Sequence, residues 1–337
     1  LQVEGTLSAV GTVSDSIVFT GSDWKGIDIQ TAGSTIKYAR VNGAINGQYS
    51  VKIKGSEVSN SRIYSSKGVY MTNNSTFNKN KVHDITSTGL TMSRLDNSDT
   101  STAYGNEFYK IPNTYAVRIT GHSGDNNNPS SYPFAFRNNS IVASDYGVYL
   151  FGRVMFEKNT ITQPVNSNDT SSIGIYTAYN YFGTSNPVSY AVIRYNIIEG
   201  FDTNMFFGGS VPTVNNNNFT GTLDVSSQKN INVQNDGYSS NQVAINVQSN
   251  YWGNVPVSDI PNSIYDWDDD FSVKGDIDYT NALTLPDPTA PISPPSSVTK
   301  YADGNNIIFN WAANKETDLA GYQLHYGTTT VDLGNVI

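Results

Sequence analysis

The chain is 337 residues long, enough for one large domain or two ordinary ones, and its 20 Lys and Arg against 29 Asp and Glu leave a net charge of −9, which argues against nucleic acid or an anionic membrane as partner. Charged residues make up only 15% of the chain, below the roughly 25% usual for soluble domains, so its polarity comes from Asn, Ser, Thr, Gly and Tyr, while 37% hydrophobic residues are enough for a core and exclude global disorder. Cysteine is absent, which excludes disulfides, thiolate nucleophiles and Cys-ligated metal. The three histidines (His83, His122, His325) are too scattered to suggest a multi-His site, and no apolar run approaches the roughly 18 residues of a membrane span.

Two short patterns recur along the chain. One is a small residue followed by apolar, exposed, apolar. It begins at Gly26-Ile27-Asp28-Ile29 and returns at Gly68-Val69-Tyr70-Met71, Gly89-Leu90-Thr91-Met92, Ala116-Val117-Arg118-Ile119, Gly147-Val148-Tyr149-Leu150 and Gly174-Ile175-Tyr176-Thr177, with a looser copy at Asn204-Met205-Phe206-Phe207. The other sets an Asn between two apolar residues. Its members are Asn80, Asn106, Asn139, Asn159, Asn196, Asn217 and Asn250, with Ser61 as a first member, and successive members stand 19, 26, 33, 20, 37, 21 and 33 residues apart. Alternation at period two predicts strands, and no segment sustains a 3.6 period. Short strands in a unit of about 20 residues, lengthened in places by insertions, predict a solenoid of parallel strands with one coil per repeat. In such a stack each Asn lies about 4.8 Å above the last, so the amides are expected to bond up the column as a ladder. They are also expected to supply the left-handed backbone of a sharp corner.

The opening Gly5-Thr6-Leu7-Ser8-Ala9-Val10-Gly11-Thr12, the segments Ile17–Thr20 and Trp24–Ile27, and the closing Asn250-Tyr251-Trp252-Gly253 with Ile264–Asp266 and Gly275–Tyr279 complete the pattern. On these residues, positions 1–285 resemble the right-handed parallel β-helix repeat family of secreted bacterial proteins, the pectate-lyase-like fold. The resemblance implies a fold and a secreted or cell-surface setting. It leaves activity open, because that family includes lyases, hydrolases, epimerases, adhesins and passive stalks. Residues 286–297 read as a Pro/Ser-rich linker. In residues 298–337, Ser297-Val298, Ile307–Trp311 and Leu319–Gly327 resemble the first three strands of a fibronectin type III domain, with Trp311 as its core tryptophan; the span is about half of such a domain. With no signal peptide at its start, the chain reads as a fragment of a longer surface or secreted protein.

The exposed middle positions of the first pattern form a predicted stripe: Asp28, Lys52, Tyr70, Thr91, Arg118, Tyr149, Tyr176 and Phe206. The long insertions 93–103, 120–133 and 178–189 leave the same strand and carry Arg94, Asp96, Asp99, His122, Asp125, Tyr132, Tyr179, Tyr181 and Phe182. Tyr70, Tyr149, Tyr176, Phe206, Tyr179 and Tyr181 are candidate glycan contacts, because aromatic faces pack on the C–H faces of sugar rings. The competing expectation is that the rings stack on one another between rungs. Lyases of the family that the chain resembles use a basic residue or Tyr to take a proton, often with calcium on the uronate; Arg118 with His122 and Asp125 is the candidate cluster, and Arg94 with Asp96 is the next. A hydrolase would need two carboxylates roughly 5–10 Å apart, for which Asp96, Asp99 and Asp125 are available. The acidic run Asp266, Asp268, Asp269, Asp270, Asp276 and Asp278 either holds calcium, with Asp266, Asp268 and Asp270 as ligands, or is a solvated end of the solenoid. Two functions are therefore expected: a structural or adhesive module that contacts polysaccharide or neighbouring subunits through its aromatic face, with self-assembly as a variant, or a polysaccharide lyase or glycoside hydrolase acting around Arg118.

Overall fold

In the computed structural model, each apolar–polar–apolar triplet is a short strand, and successive repeats pair these strands in parallel. The structure describes residues 1–94, 99–112, 114–121, 134–164, 171–178, 191–220, 223–224, 227–234, 242–293, 295–326 and 335–337. Among them, sheet A has 11 strands, from Gln2–Val3 to Ile264–Tyr265, and sheets B and C have nine each, from Ser8–Val10 to Thr213–Asn215 and from Ile17–Phe19 to Asn218–Thr220. A coil visits A, B and C in turn, as in Val69–Thr72, Thr76–Asn78 and Lys81–Ile85. This is a parallel β-helix. A 3₁₀ helix, Val257–Ser263, sits near its end. No helix among the described residues is long and apolar enough to cross a membrane.

The core is the set of inward columns. Sheet A contributes Val69, Leu90, Val117, Val148, Ile175 and Met205, sheet B Phe77, Ala103, Phe136 and Phe156, and sheet C Ile63, Val82, Phe108, Ile141 and Ile161, all buried. The small residue that opens each sheet A triplet has a steric cause. A Cβ on Gly68 would lie 1.7 Å from the Thr88 carbonyl oxygen, and one on Gly147 would lie 2.3 Å from that of Gly174. In two later coils this position carries an amide pair instead, Asn204 donating to Asn230 at 2.8 Å.

The corner between sheets B and C holds the Asn ladder. Each Oδ1 accepts two bonds from the preceding Asn, one from its backbone N–H and one from its Nδ2. At Asn106 these measure 2.9 and 3.1 Å from Asn80, and at Asn196 2.9 and 3.0 Å from Asn159. The ladder runs unbroken to Asn250, and below Asn80 it passes to the Ser61 hydroxyl, which accepts from Ala39 at 3.0 Å. One expectation fails. The ladder Asn are not the left-handed residues; the positive φ falls one position earlier, on Lys79, Gly105, Asn138, Lys158, Tyr195, Asn216 and Ser249. The reason is a division of labour: the ladder residue must keep its side chain in the stack, so the residue before it turns the corner.

A second column lies at the corner between A and B. Ser56 Oγ accepts from Ser34 N–H at 3.2 Å, Ser75 Oγ from Ser56 at 3.3 Å, and Ser101 Oγ from Ser75 at 3.1 Å. Beyond Asn250 the buried Trp252 packs on Phe219, ring centroids 5.2 Å apart, and the core continues through Ile260, Ile264, Val273 and Ile277. The chain then returns over the outside of sheet C, where Asp287 N–H donates to Asn218 Oδ1 at 2.8 Å and Asn216 Nδ2 donates to the Asp287 carboxylate at 2.8 Å. The first compact unit accordingly ends at Pro291, inside the segment read as a linker.

The second unit, Ile292–Ile337, pairs Ser296–Asp303 antiparallel with Asn306–Ala312, and His325–Tyr326 with Asn335–Val336. Trp311 stays 38% exposed, edge-on to Tyr322 at 5.0 Å, instead of sitting in a closed core.

Candidate functional site

The predicted stripe is a single column. Register pairs Asp28, Lys52, Tyr70, Thr91, Arg118, Tyr149, Tyr176 and Phe206 rung by rung on the outside of sheet A, and extends to Asn232 and Tyr265. Strand alternation is sufficient to cause this, since the residues on either side of each point into the core. The insertions at 93, 120 and 178 all follow sheet A strands, so they leave from the corner where that sheet ends.

The rings of the stripe meet one another. Tyr149 and Tyr176 are stacked at 5.6 Å and 8°, Tyr176 and Phe206 at 5.2 Å and 10°, and the Arg118 guanidinium lies 4.9 Å from the Tyr149 centroid, closing that end of the stack. Tyr115 and Tyr146, 5.1 Å apart, pack alongside, with Tyr115 edge-on to Tyr149 at 5.4 Å. The facing sides of these rings are therefore taken up by stacking. Gly208 makes room for this, because a Cβ there would lie 2.4 Å from the Tyr176 hydroxyl. Tyr70 belongs to a separate pair with Tyr49 at 4.8 Å.

Beside Arg118 the surface opens into a cleft of about 410 Å³, lined by Gln48, Tyr49, Ser87, Thr88, Thr91, Ser93, Arg118 and Thr120. Hydroxyls and amides surround one exposed guanidinium, and no described residue of this lining is a carboxylate or a histidine. Burial pushes the Tyr49 phenol up, aided by Tyr70. Burial likewise raises Tyr149 against the pull of Arg118, and raises Tyr115 strongly, with Tyr176 and Tyr146 adding to the effect. These phenols are thus protonated donors at neutral pH and not bases.

Several predicted site residues fall elsewhere. His122, Asp125, Tyr179 and Tyr181 lie outside the described residues, as do Asp96, Tyr132 and Phe182. Arg94 is buried. Asp99 is fully buried and is committed to its corner, accepting from the Asn73 and Asn74 amides at 2.6 and 2.9 Å and from the Ser101 hydroxyl at 2.6 Å. The acidic run is likewise employed piecemeal. Asp266 accepts from the Asp268 and Ile277 amides at 3.1 and 2.8 Å, and Asp270 accepts from Ser272 at 2.8 Å and from the Tyr265 hydroxyl at 3.3 Å. Among the described residues, no three acidic or histidine side chains gather where they could hold a metal ion.

Sequence reasoning missed Tyr49, Tyr115 and Tyr146. Tyr115 and Tyr146 precede Arg118 and Tyr149 by three residues in paired strands, a regularity visible once the strands are aligned. Tyr49 sits in a corner outside any strand and gives no such signal. Comparison of the chain with protein-family models, with curated proteins and with solved structures finds no match.

Proposed function

We propose that this chain is an extracellular or cell-surface β-helix module of a right-handed, pectate-lyase-like kind, followed by part of a fibronectin type III domain, and that it holds polysaccharide on the outer face of sheet A. The observation that carries this reading is the Arg118 cleft: one exposed cation ringed by hydroxyl donors, on a chain of net charge −9. A guanidinium offers two parallel N–H bonds to a carboxylate or sulfate, and Ser, Thr and Tyr hydroxyls match sugar hydroxyls. An acidic glycan is the ligand this combination fits. The stacked Tyr149, Tyr176 and Phe206 act as a rigid floor that fixes Arg118, and the two tyrosines contribute hydroxyls in place of flat platforms. Long insertions leaving the same edge suit a groove wall.

A lyase or hydrolase centred on Arg118 has less support. Its proton acceptor would have to come from outside the described lining, because the phenols beside Arg118 are held protonated.

The test is binding of the intact chain to a glycan array with analysis of soluble products. Arg118→Ala removes a charged bond worth about 1.5–3 kcal/mol, a roughly tenfold to hundredfold loss of affinity for a carboxylated or sulfated glycan. Retention that is indifferent to Arg118→Ala, or preference for neutral glycans, contradicts the reading. Unsaturated products released by the parent and abolished in the variant would establish the lyase instead.

A further inference from the structure

His83 lies on sheet C, outside the lining of the Arg118 cleft, and is 4% exposed. Its ring is sandwiched between Tyr64 of the preceding coil, at 5.4 Å and 9°, and Tyr109 of the following coil, at 4.7 Å and 6°. The register His83↔Tyr64 and His83↔Tyr109 makes the stack a direct product of strand pairing. Asn42, one coil further back, donates to the Tyr64 hydroxyl at 3.0 Å.

The hydrogen bonds fix the protonation state. Arg62 Nε lies 2.6 Å from His83 Nε2, and a guanidinium has only donors, so Nε2 must be the bare nitrogen. The ring proton then sits on Nδ1 and is donated to Asp84 Oδ2 at 2.5 Å. Asp84 reaches back to the ring because its own backbone is left-handed, with φ 52°.

We propose that Arg62, His83 and Asp84, with Lys110 and Tyr109 of the following coil, form an acid-released latch joining three consecutive coils of the β-helix. A proton on Nε2 would set one N–H against another at the present Arg62 contact. It would also place a third positive charge beside Arg62 and Lys110, whose Nζ is 3.8 Å from Asp84, with Asp84, among the described residues, as the single anion in contact with the ring. The other charged groups on the packed strands, Lys81 and Glu107, neutralise each other at 3.0 Å, and the Tyr109 phenol is raised by burial and stays neutral. Acid therefore ejects Arg62 and loosens Arg62–Ser66, Lys81–Ile85 and Glu107–Tyr109 from one another.

The sign follows from linkage. Burial first, then Arg62 and Lys110, hold His83 below the usual imidazole value of 6.5, and Asp84 opposes them. The folded state thus binds fewer protons than the unfolded chain. The latch is fully present above the unfolded value and is lost as pH falls through the folded one.

Two measurements on the intact chain between about pH 8 and 5 test this. The His83 ring is titrated by NMR in the parent, Arg62→Gln and Asp84→Asn, and amide hydrogen exchange, corrected for intrinsic rates, is followed in the parent and His83→Gln. The expected titration lies below the usual imidazole value, rises in Arg62→Gln and falls in Asp84→Asn. Protection of the three strands should drop together as His83 charges, and should not depend on pH in His83→Gln. Titration at or above the usual value, or equal pH dependence of exchange in the parent and His83→Gln, overturns the latch. If His83→Gln fails to fold, the Arg62→Gln titration alone decides.

Discussion

Asn159 shows how much one amide does in a stacked coil. Its Oδ1 accepts from the Asn139 backbone and side chain at 2.9 and 3.0 Å, and its Nδ2 donates to Asn196 Oδ1 and to the Phe136 carbonyl, both at 3.0 Å. All of this is buried. Asn159→Ala should therefore lower unfolding free energy by about 1–3 kcal/mol for each buried group left without a partner, read from urea melts. Its neighbour Lys158 obeys the opposite rule. It holds φ 57° with a side chain that contributes nothing to the ladder, so Lys158→Gly should be neutral or stabilising by up to about 1 kcal/mol. Equal destabilisation of both variants would mean that the ladder and the corner are not separate roles. The ladder was legible in the sequence because Asn recurs in its own seat. The left-handed seat was not, because Lys, Tyr, Ser, Asn and Gly share it and only the backbone torsion unites them.

At the scale of strands and corners, alternation determined which residues face outward and did so correctly from Asp28 to Phe206. Period two says nothing of side-chain torsions, so it left open whether the stripe offers ring faces or buries them. The answer comes from spacing: rungs close enough for backbone bonding bring identical rings to 5.6 Å, where they stack on each other. The Ser column escaped notice for a different reason. Ser34, Ser56, Ser75 and Ser101 recur at steps of 22, 19 and 26 residues, yet serine is so frequent here that the column is invisible until strands are placed. Ser75 is fully buried, accepting from Ser56 N–H and donating to the Thr72 carbonyl at 2.5 Å. Ser75→Ala should cost about 1–3 kcal/mol, while Ser140→Ala, on the solvent side of sheet C, should fall within about 0.5 kcal/mol of the parent. Thermal melts that fail to separate the two would remove the Ser column as a structural element.

Over the whole molecule, a solenoid must finish its last coil without a neighbour, and the acidic run belongs to that task. Asp266 binds the Asp268 and Ile277 amides, and Asp278 caps Thr280 at 3.1 Å, so these carboxylates do within the chain what a cation or another coil would otherwise do. Added calcium or chelator should accordingly leave the melting temperature unchanged; a rise that saturates with calcium would show a site that the described residues do not form. The returning segment completes the finish. Asn218 stands in the same outward column as Ser140 and Thr160, yet it is fully buried, as is Ile197 one coil before it, and Asp287 lies over Asn218 and exchanges two bonds with it, N–H to Oδ1 at 2.8 Å and Nδ2 to carbonyl at 3.2 Å. Without that segment, a buried-grade polar residue would be facing water on a strand edge. Asn218→Ala removes both bonds and strands the Asp287 amide and carbonyl, so it should cost about 1–3 kcal/mol and expose residues 284–291 to limited proteolysis at native pH. Ser140→Ala, in the same column but uncovered, is the control. If both variants resist protease as the parent does, the segment is held by Pro286 and Ala290 burial and by the Asn216–Asp287 bond, and the Asn218–Asp287 pair is not what seats it.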